Sequence, residues 1–378
     1  MKKNSQMKIC LYSPYFPKHF GGGEKYLLDT AQALTDYGQV YLAIPQQKLS
    51  VKQRQLILQR YQRFLGYELK NITPIPSPLG TGASFLKKLS WTGQFDLGYF
   101  FSDGSLPTSL AGKNVLHIQV PLARPPLTPL ERLKKLQLDF VNTNSSFTKQ
   151  VVEQYWHLPV NAVHHPMVDV APLMRLVKKT NKQKIILHVG RFFKQLHSKR
   201  QDVLVKFFGH LREQYPKESQ GWRLVLIGSV EDPAYAKQVK LLARGLPVKL
   251  IYQVTRAELN NWYAKSAIYW HATGFGVNEL THPEKMEHFG ISTVEAMASG
   301  VVPIVIDRGG QPEVLGSILA ELLWTDEKTC LAKTVKFMNN DAERRKMANL
   351  AQSRAQNFAP AHFREDLARM MTKLEFTA

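Results

Sequence analysis

The segment Lys8-Ile-Cys-Leu-Tyr-Ser-Pro-Tyr-Phe-Pro-Lys-His-Phe-Gly-Gly-Gly-Glu-Lys-Tyr-Leu-Leu-Asp-Thr-Ala-Gln-Ala-Leu34 decides the fold class. Its first five residues form a short apolar run of strand length, which Pro14 and Pro17 bring to an end. Gly21, Gly22 and Gly23 follow as a turn without side chains, and from about Glu24 to Leu34 the apolar positions recur at helical spacing. Strand, glycine loop and helix in that order open a doubly wound α/β sheet.

The alternation continues outward from this start. A strand is expected near Val40 to Ile44, a basic helix near Val51 to Phe64, and further strands at Leu97 to Phe101, Val115 to Ile118 and Phe140 to Thr143. Residues Pro166 to Lys184 lose the pattern and read as a connector. From Lys184 a second series begins, with strands at 184–189, 223–227, 248–252 and 268–271 separated by helices ending at Tyr215, Leu242 and Ala264. The fold class is therefore α/β with two Rossmann-like domains, residues 1–170 and 171–355, followed by a tail, 356–378, that carries a helix from His362 to Leu374. Two such sheets facing one another would leave a cleft beside the carboxyl ends of their strands, where ligands of open α/β sheets sit.

Composition narrows the function classes. With 378 residues and 44% hydrophobic content, the chain can bury two ordinary cores. Its only cysteines are Cys10 and Cys330, which rules out a disulfide framework and fits a cytoplasmic setting. The apolar run at Ile9 to Tyr12 is too short for a signal-peptide core or a membrane span. The net charge of +20 is spread over both halves. No zinc finger, helix-turn-helix, basic zipper or aromatic-rich RNA signature accompanies it, so nucleic acid is not the expected partner. Anionic membrane or a phosphorylated acceptor suits the charge better. A peripheral membrane contact would use the basic helix with Leu56, Leu58, Tyr61 and Leu65, and a solvated basic helix is the alternative.

The chemistry is concentrated in residues 284–316, where Glu287 and Glu295 straddle a helix start. Ser292 to Glu295 reads as a capping box, Gly300 as the helix stop, and residues 301–306 as a strand. Between the carboxylates, the amides of Phe289, Gly290 and Ile291 would point from a helix N-terminus toward an anionic or hydroxyl-rich ligand. A sugar nucleotide offers a hexose, a diphosphate and a ribose in matching order. The competing reading is that Glu295 merely completes the cap and Glu287 is a solvated loop charge.

This segment resembles the Glu-x7-Glu signature of family 4 of the retaining, nucleotide-sugar-dependent glycosyltransferases, in Glu-His-Phe-Gly-Ile, Val-Glu-Ala-Met-Ala-x-Gly and the later Gly-Gly. The resemblance implies a GT-B architecture, with an acceptor-binding N-terminal domain, a donor-binding C-terminal domain and a last helix crossing back to the first domain. It implies that Glu287 contacts the transferred hexose, that Phe289 to Ile291 hold its hydroxyls and phosphate through backbone groups, and that Glu295 holds the ribose. Gly190-Arg191 and Lys199 are similar to the family's Gly-Arg-x-x-x-x-Lys, whose cations neutralise the departing diphosphate. Extra residues separate them here, so Lys194 rivals Lys199, which is preferred because it directly precedes a helix start. Gly21, Gly22 and Gly23 resemble the family's Gly-Gly-x-Glu loop, which approaches the β-phosphate. Asn144 to Thr148 matches its Asn-Ser-x-Phe-Thr landmark and reads chiefly as a helix cap. His117, in Val-Leu-His-Ile-Gln-Val-Pro, is similar to the His-Tyr-Pro stretch of dolichol-linked-oligosaccharide α-1,2-mannosyltransferases, where the histidine faces the reacting sugar.

The implied function is retaining, metal-independent transfer of a hexose from a nucleotide diphosphate sugar to a hydroxyl of a glycan or lipid-linked acceptor. No cofactor is expected: Arg191 and Lys199 would serve the phosphates, and no Asp-x-Asp motif is present to hold a metal. The alternatives are a nucleotide-sugar epimerase and a non-catalytic subunit that binds sugar nucleotides.

Overall fold

The computed structural model describes residues 6–16, 21–46 and 48–377. The chain divides into two units, one made of residues 1–167 with 361–378 and the other of residues 168–360.

In unit 1 the elements run β1 (Lys8–Tyr12), α1 (Gly22–Leu34), β2 (Gln39–Ile44), α2 (Val51–Leu65), β3 (Ile72–Pro76), α3 (Phe85–Thr92), β4 (Leu97–Phe101), β5 (Lys113–Ile118), α4 (Pro129–Lys135), β6 (Phe140–Thr143), α5 (Ser146–Val151) and β7 (Ala162–Val163). Unit 2 carries α6 (Val170–Val177), β8 (Gln183–Val189), α7 (Gln201–Gln214), β9 (Arg223–Ile227), α8 (Pro233–Leu242), β10 (Val248–Ile251), α9 (Arg256–Lys265), β11 (Ser266–His271), α10 (Ile291–Ala298), β12 (Val302–Ile306), α11 (Gln311–Leu315), β13 (Leu323–Trp324), α12 (Glu327–Asn339) and α13 (Asp341–Ala355). The last helix, α14 (Pro360–Lys373), places Phe363, Leu367, Met370 and Met371 in the core of unit 1.

Both sheets are parallel. Unit 1 orders its strands β3-β2-β1-β4-β5-β6-β7 and unit 2 orders them β10-β9-β8-β11-β12-β13. Strands covered by helices on both faces must be apolar along their whole length. Accordingly every residue of β4, β11 and β12 is buried.

Several elements lie where none is expected, α6 and β3 among them. The stretch read as a connector contains α6, whose Val170 and Leu173 enter the core of unit 2 and which packs against α9 and α10. Pro166, Pro172 and the lysine-rich end obscure that face in the sequence. The strand β3 was not anticipated, because Pro74 and Pro76 interrupt it; it lies at the sheet edge, where a missing N–H donor is tolerated.

The expected apolar side of α2 turns inward. Tyr61 is buried, and Leu58 and Leu65 pack against the core, so only Leu56 of the four named positions is exposed. The outward face of α2 carries Lys52, Arg60 and Arg63 together with the exposed Val51, Leu56 and Phe64.

Candidate functional site

The site in unit 2 forms where β8 and β11 end and α10 begins. The strand β8 runs out at Val189, and the Gly190 amide still bonds the Ile227 carbonyl at 2.9 Å. A Cβ on Gly190 would lie 2.7 Å from Lys199 Cγ and 3.1 Å from His188 Nε2. Glycine is what lets the lysine stem cross this strand end.

Lys199 Nζ donates to Glu287 Oε2 at 2.5 Å, and His271 Nε2 lies 2.8 Å from the same oxygen. Burial pushes the Glu287 carboxyl up, but Lys199 and His271 outweigh it and hold the group well below the usual carboxylate range. Burial pushes the His271 imidazole down despite Glu287. His271 is therefore a neutral ring donating Nε2–H to an ionised carboxylate. Both bonds fall on Oε2, which leaves Oε1 to accept from a further donor. Lys199 has used one of its three N–H groups.

Beside this group, His188 is fully buried, with Nδ1 2.9 Å from the Trp270 carbonyl, and burial pushes it down to about 3. His188 and His271 end up on adjacent strands, their rings 6.0 Å apart. Arg191 spends its guanidinium on Glu231, at 2.8 and 3.1 Å, and touches His197 at 3.2 Å. Its side chain is one-third exposed, so it stands at the rim rather than against Glu287. Lys194 is exposed, and it is Lys199 that reaches Glu287.

The helix α10 does not begin with a capping box. Gly290, at φ +116°, is its N-cap and has no side chain to offer. Ser292 is already inside the helix, where its hydroxyl accepts from Tyr269 at 2.8 Å. Glu295 turns away from the helix start and pairs with Arg256 at 2.7 Å. The C-terminal end follows the Schellman pattern: Val301 N bonds Ala296 O at 3.1 Å and Gly300 N bonds Met297 O at 2.9 Å, with Gly300 at φ +59°. The amides of Gly290 to Ser292 precede the first intrahelical bond, from Thr293 N to Gly290 O, and so remain available at the positive end of the helix. Phe289 sends its ring into the core.

The pair Gly309-Gly310 supports this loop from below. A Cβ on Gly309 would meet the Glu287 carbonyl at 2.4 Å, one on Gly310 would meet the His288 carbonyl at 2.5 Å, and Gly310 N bonds the Glu287 carbonyl at 2.7 Å. Any side chain there would push the Glu287 backbone out of place.

In unit 1, Gly21 is the extended N-cap of α1, and Gly23 lies beside Gln119. His117 lies near the end of β5 and is fully buried. Its ring has no exposed surface, stacks on Tyr26 with centroids 4.1 Å apart, and bonds Asn142 through Nδ1 at 2.9 Å. One residue, Ile118, still follows it in β5, and the His117 Nε2 is buried with no hydrogen-bond partner among the described residues. Tyr26 continues inward to His164 at 2.6 Å, and His164 Nε2 lies 3.0 Å from the Phe363 carbonyl of α14. A cavity of about 230 Å³ between β6, β7 and α14 holds none of the expected site residues.

Solved structures align over nearly the whole chain: a glycosyltransferase from Rickettsia africae at TM-score 0.72 and 14% identity, covering 98% of this chain and 100% of that one, and Anabaena HepE in complex with UDP at 0.68 and 18%, covering 97% and 99%. The fold is GT-B. Residues 173–354, most of the second GT-B unit, match the family described as "Glycosyl transferases group 1". Among curated proteins, the GDP-Man:Man(3)GlcNAc(2)-PP-Dol α-1,2-mannosyltransferase of Neurospora crassa is 26% identical over 208 residues, 48% of this chain and 35% of the relative. A lipopolysaccharide core biosynthesis mannosyltransferase of Rhizobium leguminosarum is 27% identical over 141 residues, 35% of this chain and 36% of the relative. The chain thus spans about a third of the length of these curated relatives. Together the likenesses support a glycosyltransferase on a GT-B scaffold.

The sequence motifs single out none of His188, His197 and Arg256, and they place His271 only in a loop, residues 270–276, expected to line the donor pocket. The sequence signal is that the apolar runs Ile-Ile-Leu-His and Ile-Tyr-Trp-His each carry a histidine at or one residue before the end of a strand. Among the described residues no helix is long and apolar enough to cross a membrane.

Proposed function

We propose that this chain transfers a hexose from a nucleotide diphosphate sugar to an acceptor hydroxyl with retention at the anomeric carbon and without a metal ion. The observation that carries the reading is the Lys199–Glu287–His271 group at the strand ends, next to the free amides of α10. Glu287 Oε1 accepts from a hexose hydroxyl, and His271 keeps the carboxylate ionised and fixed. The two unused N–H groups of Lys199 and the α10 amides take the charge that grows on the departing diphosphate, where electrostatic stabilisation is largest. Arg191 assists from the rim once it exchanges Glu231 for a phosphate oxygen. Glu295, already fixed by Arg256, accepts from the ribose. No side chain acts as nucleophile; the departing phosphate oxygen receives the acceptor proton.

The curated relatives are named for GDP-mannose and for mannosyl transfer, so GDP-mannose is the first donor to test and a lipid-linked or glycan hydroxyl the first acceptor. The test is direct. Purified chain incubated with GDP-, UDP- and ADP-hexoses is screened for raised thermal stability, then for nucleoside diphosphate release dependent on acceptor. An α-linked product from an α-linked donor, formed at full rate in EDTA, is expected. An inverted product, a rate restored only by magnesium or manganese, or a changed sugar on the donor with no acceptor present would each refute a part of the reading.

A further inference from the structure

We propose that unit 1 docks on an anionic lipid bilayer through the face formed by α3, residues 106–110 and α4. Six large apolar side chains stand out of this face: Phe85 at 53% exposure, Leu86 at 75%, Leu110 at 57%, Leu130 at 61%, Leu133 at 63% and Leu136 at 81%. Folding normally turns the apolar side of a surface helix inward, as α1 does with Tyr26, Leu27, Leu28 and Leu34. The helix α4 instead buries no residue at all, and α3 buries only Thr92. Leu130 and Leu133 of α4 and Leu136, which caps it, recur every three residues and are all exposed.

The pieces form one surface. The Leu110 amide bonds Thr92 Oγ1 at 3.0 Å, the Ser109 amide bonds Gln137 Oε1 at 3.4 Å, and Lys134 Nζ reaches the Leu106 carbonyl at 3.5 Å. Residues 106–110 therefore tie the end of α3 to the end of α4. Five cations are interleaved with the apolar groups: Lys87 and Lys88 on α3, and Arg132, Lys134 and Lys135 on α4. The carboxylate of α4 does not offset them, because Glu131 is held by Arg124 at 2.8 Å and by the Thr128 amide at 2.9 Å.

Apolar side chains among cations, with the acid withdrawn, match the acyl boundary and the headgroup charge of an anionic bilayer. A second copy of the same face is a poorer occupant, since two-fold pairing would set five cations against five. The face is distinct from the donor site, so the proposal stands or falls separately from the transferase reading.

The test is vesicle sedimentation of the full chain with phosphatidylcholine alone and with phosphatidylcholine containing phosphatidylglycerol. Binding to the anionic vesicles only, weakened by high salt, is expected. Lys87→Glu with Lys88→Glu, and separately Leu130→Ser with Leu133→Ser, should each lower binding about tenfold or more while donor binding is unchanged. Because Cys10 and Cys330 are buried, Leu133→Cys can be labelled alone with an environment-sensitive dye, which should shift to the blue on anionic vesicles. Equal binding to both vesicle types, no binding, a dye that does not shift, or loss of binding only on substituting α2 cations such as Lys52 would overturn the proposal. A dimer in solution that the leucine substitutions dissociate would overturn it in favour of a second copy.

Discussion

His117 and His271 make an instructive pair. Each is a fully buried histidine near the carboxyl end of a parallel strand, one in each unit, and burial pushes both imidazoles down. His117 has Tyr26, Phe101 and Asn142 for neighbours and is embedded in a core network. His271 is the last residue of its strand and meets an ionised carboxylate. The two rings differ in their partner: His271 meets the Glu287 carboxylate, whereas His117 meets the Asn142 amide and the Tyr26 ring.

The sharpest break of that comparison removes the partner. Glu287→Gln should lower transfer by about 10³-fold, because Lys199 loses the acceptor that positions it and the hexose loses its own. Far-ultraviolet circular dichroism and the unfolding temperature should stay near those of the unsubstituted chain. A rate within fivefold of normal would remove Glu287 from the site and make His271 as structural as His117.

Acid should separate the two units next. His117 and His164 in unit 1 are pushed down to about 3 and about 4; in unit 2 His188 is pushed to about 3, His288 to about 4, and His197 and His271 are also lowered. For each, the folded value lies below the ordinary histidine value, so the unfolded chain takes up protons first. Stability is then lost as pH falls through about 6.5, at up to roughly 1.4 kcal/mol per histidine per pH unit. Glu287, also lowered, adds a loss once pH falls below the usual carboxylate range. With four such histidines against two, unit 2 should lose stability more steeply. Hydrogen exchange at pH 7 and pH 5, resolved by peptide, would check this, and a steeper loss in unit 1 would contradict it.

A direct swap compares the two rings. His271→Phe should lower turnover about tenfold or more and move the acid limb of the rate profile to higher pH, since Glu287 loses a donor that holds it ionised. His117→Phe should cost about 1–2 kcal/mol of stability through Asn142 and leave turnover within about twofold. Equal effects of the two substitutions on turnover would erase the distinction.

Most of the scaffold was legible in the sequence, since buried parallel strands are continuous apolar runs and Gly300 sits where a helix must stop. Lys199 could be preferred to Lys194 because a helix start follows it. The inward turn of His117 was not legible. Alternation places a residue on one face of a sheet but does not say whether that face is covered, and it was Tyr26 and α14 that covered it. The pairing of Glu295 with Arg256 was equally hidden, because the partner lies 39 positions away on another helix. The local pattern Ser-x-x-Glu pointed to a cap at Ser292, and the left-handed Gly290 moved the N-cap two residues earlier, so that Ser292 lies inside the helix.

That displaced cap supports the smallest test. Ser145 is a true N-cap, accepting from the Thr148 amide at 3.1 Å, whereas Ser292 accepts from Tyr269. Ser145→Ala and Ser292→Ala should each cost about 1 kcal/mol, for different reasons. A double-mutant cycle separates them. If Ser292 serves Tyr269, then Ser292→Ala in a Tyr269→Phe background should cost almost nothing further, giving a coupling near the whole single-substitution effect. If Ser292 capped α10, the two costs would add and the coupling would vanish. Gly290 argues for the first outcome, because a helix whose N-cap lies two residues earlier leaves the Ser292 hydroxyl with no first-turn amide to serve.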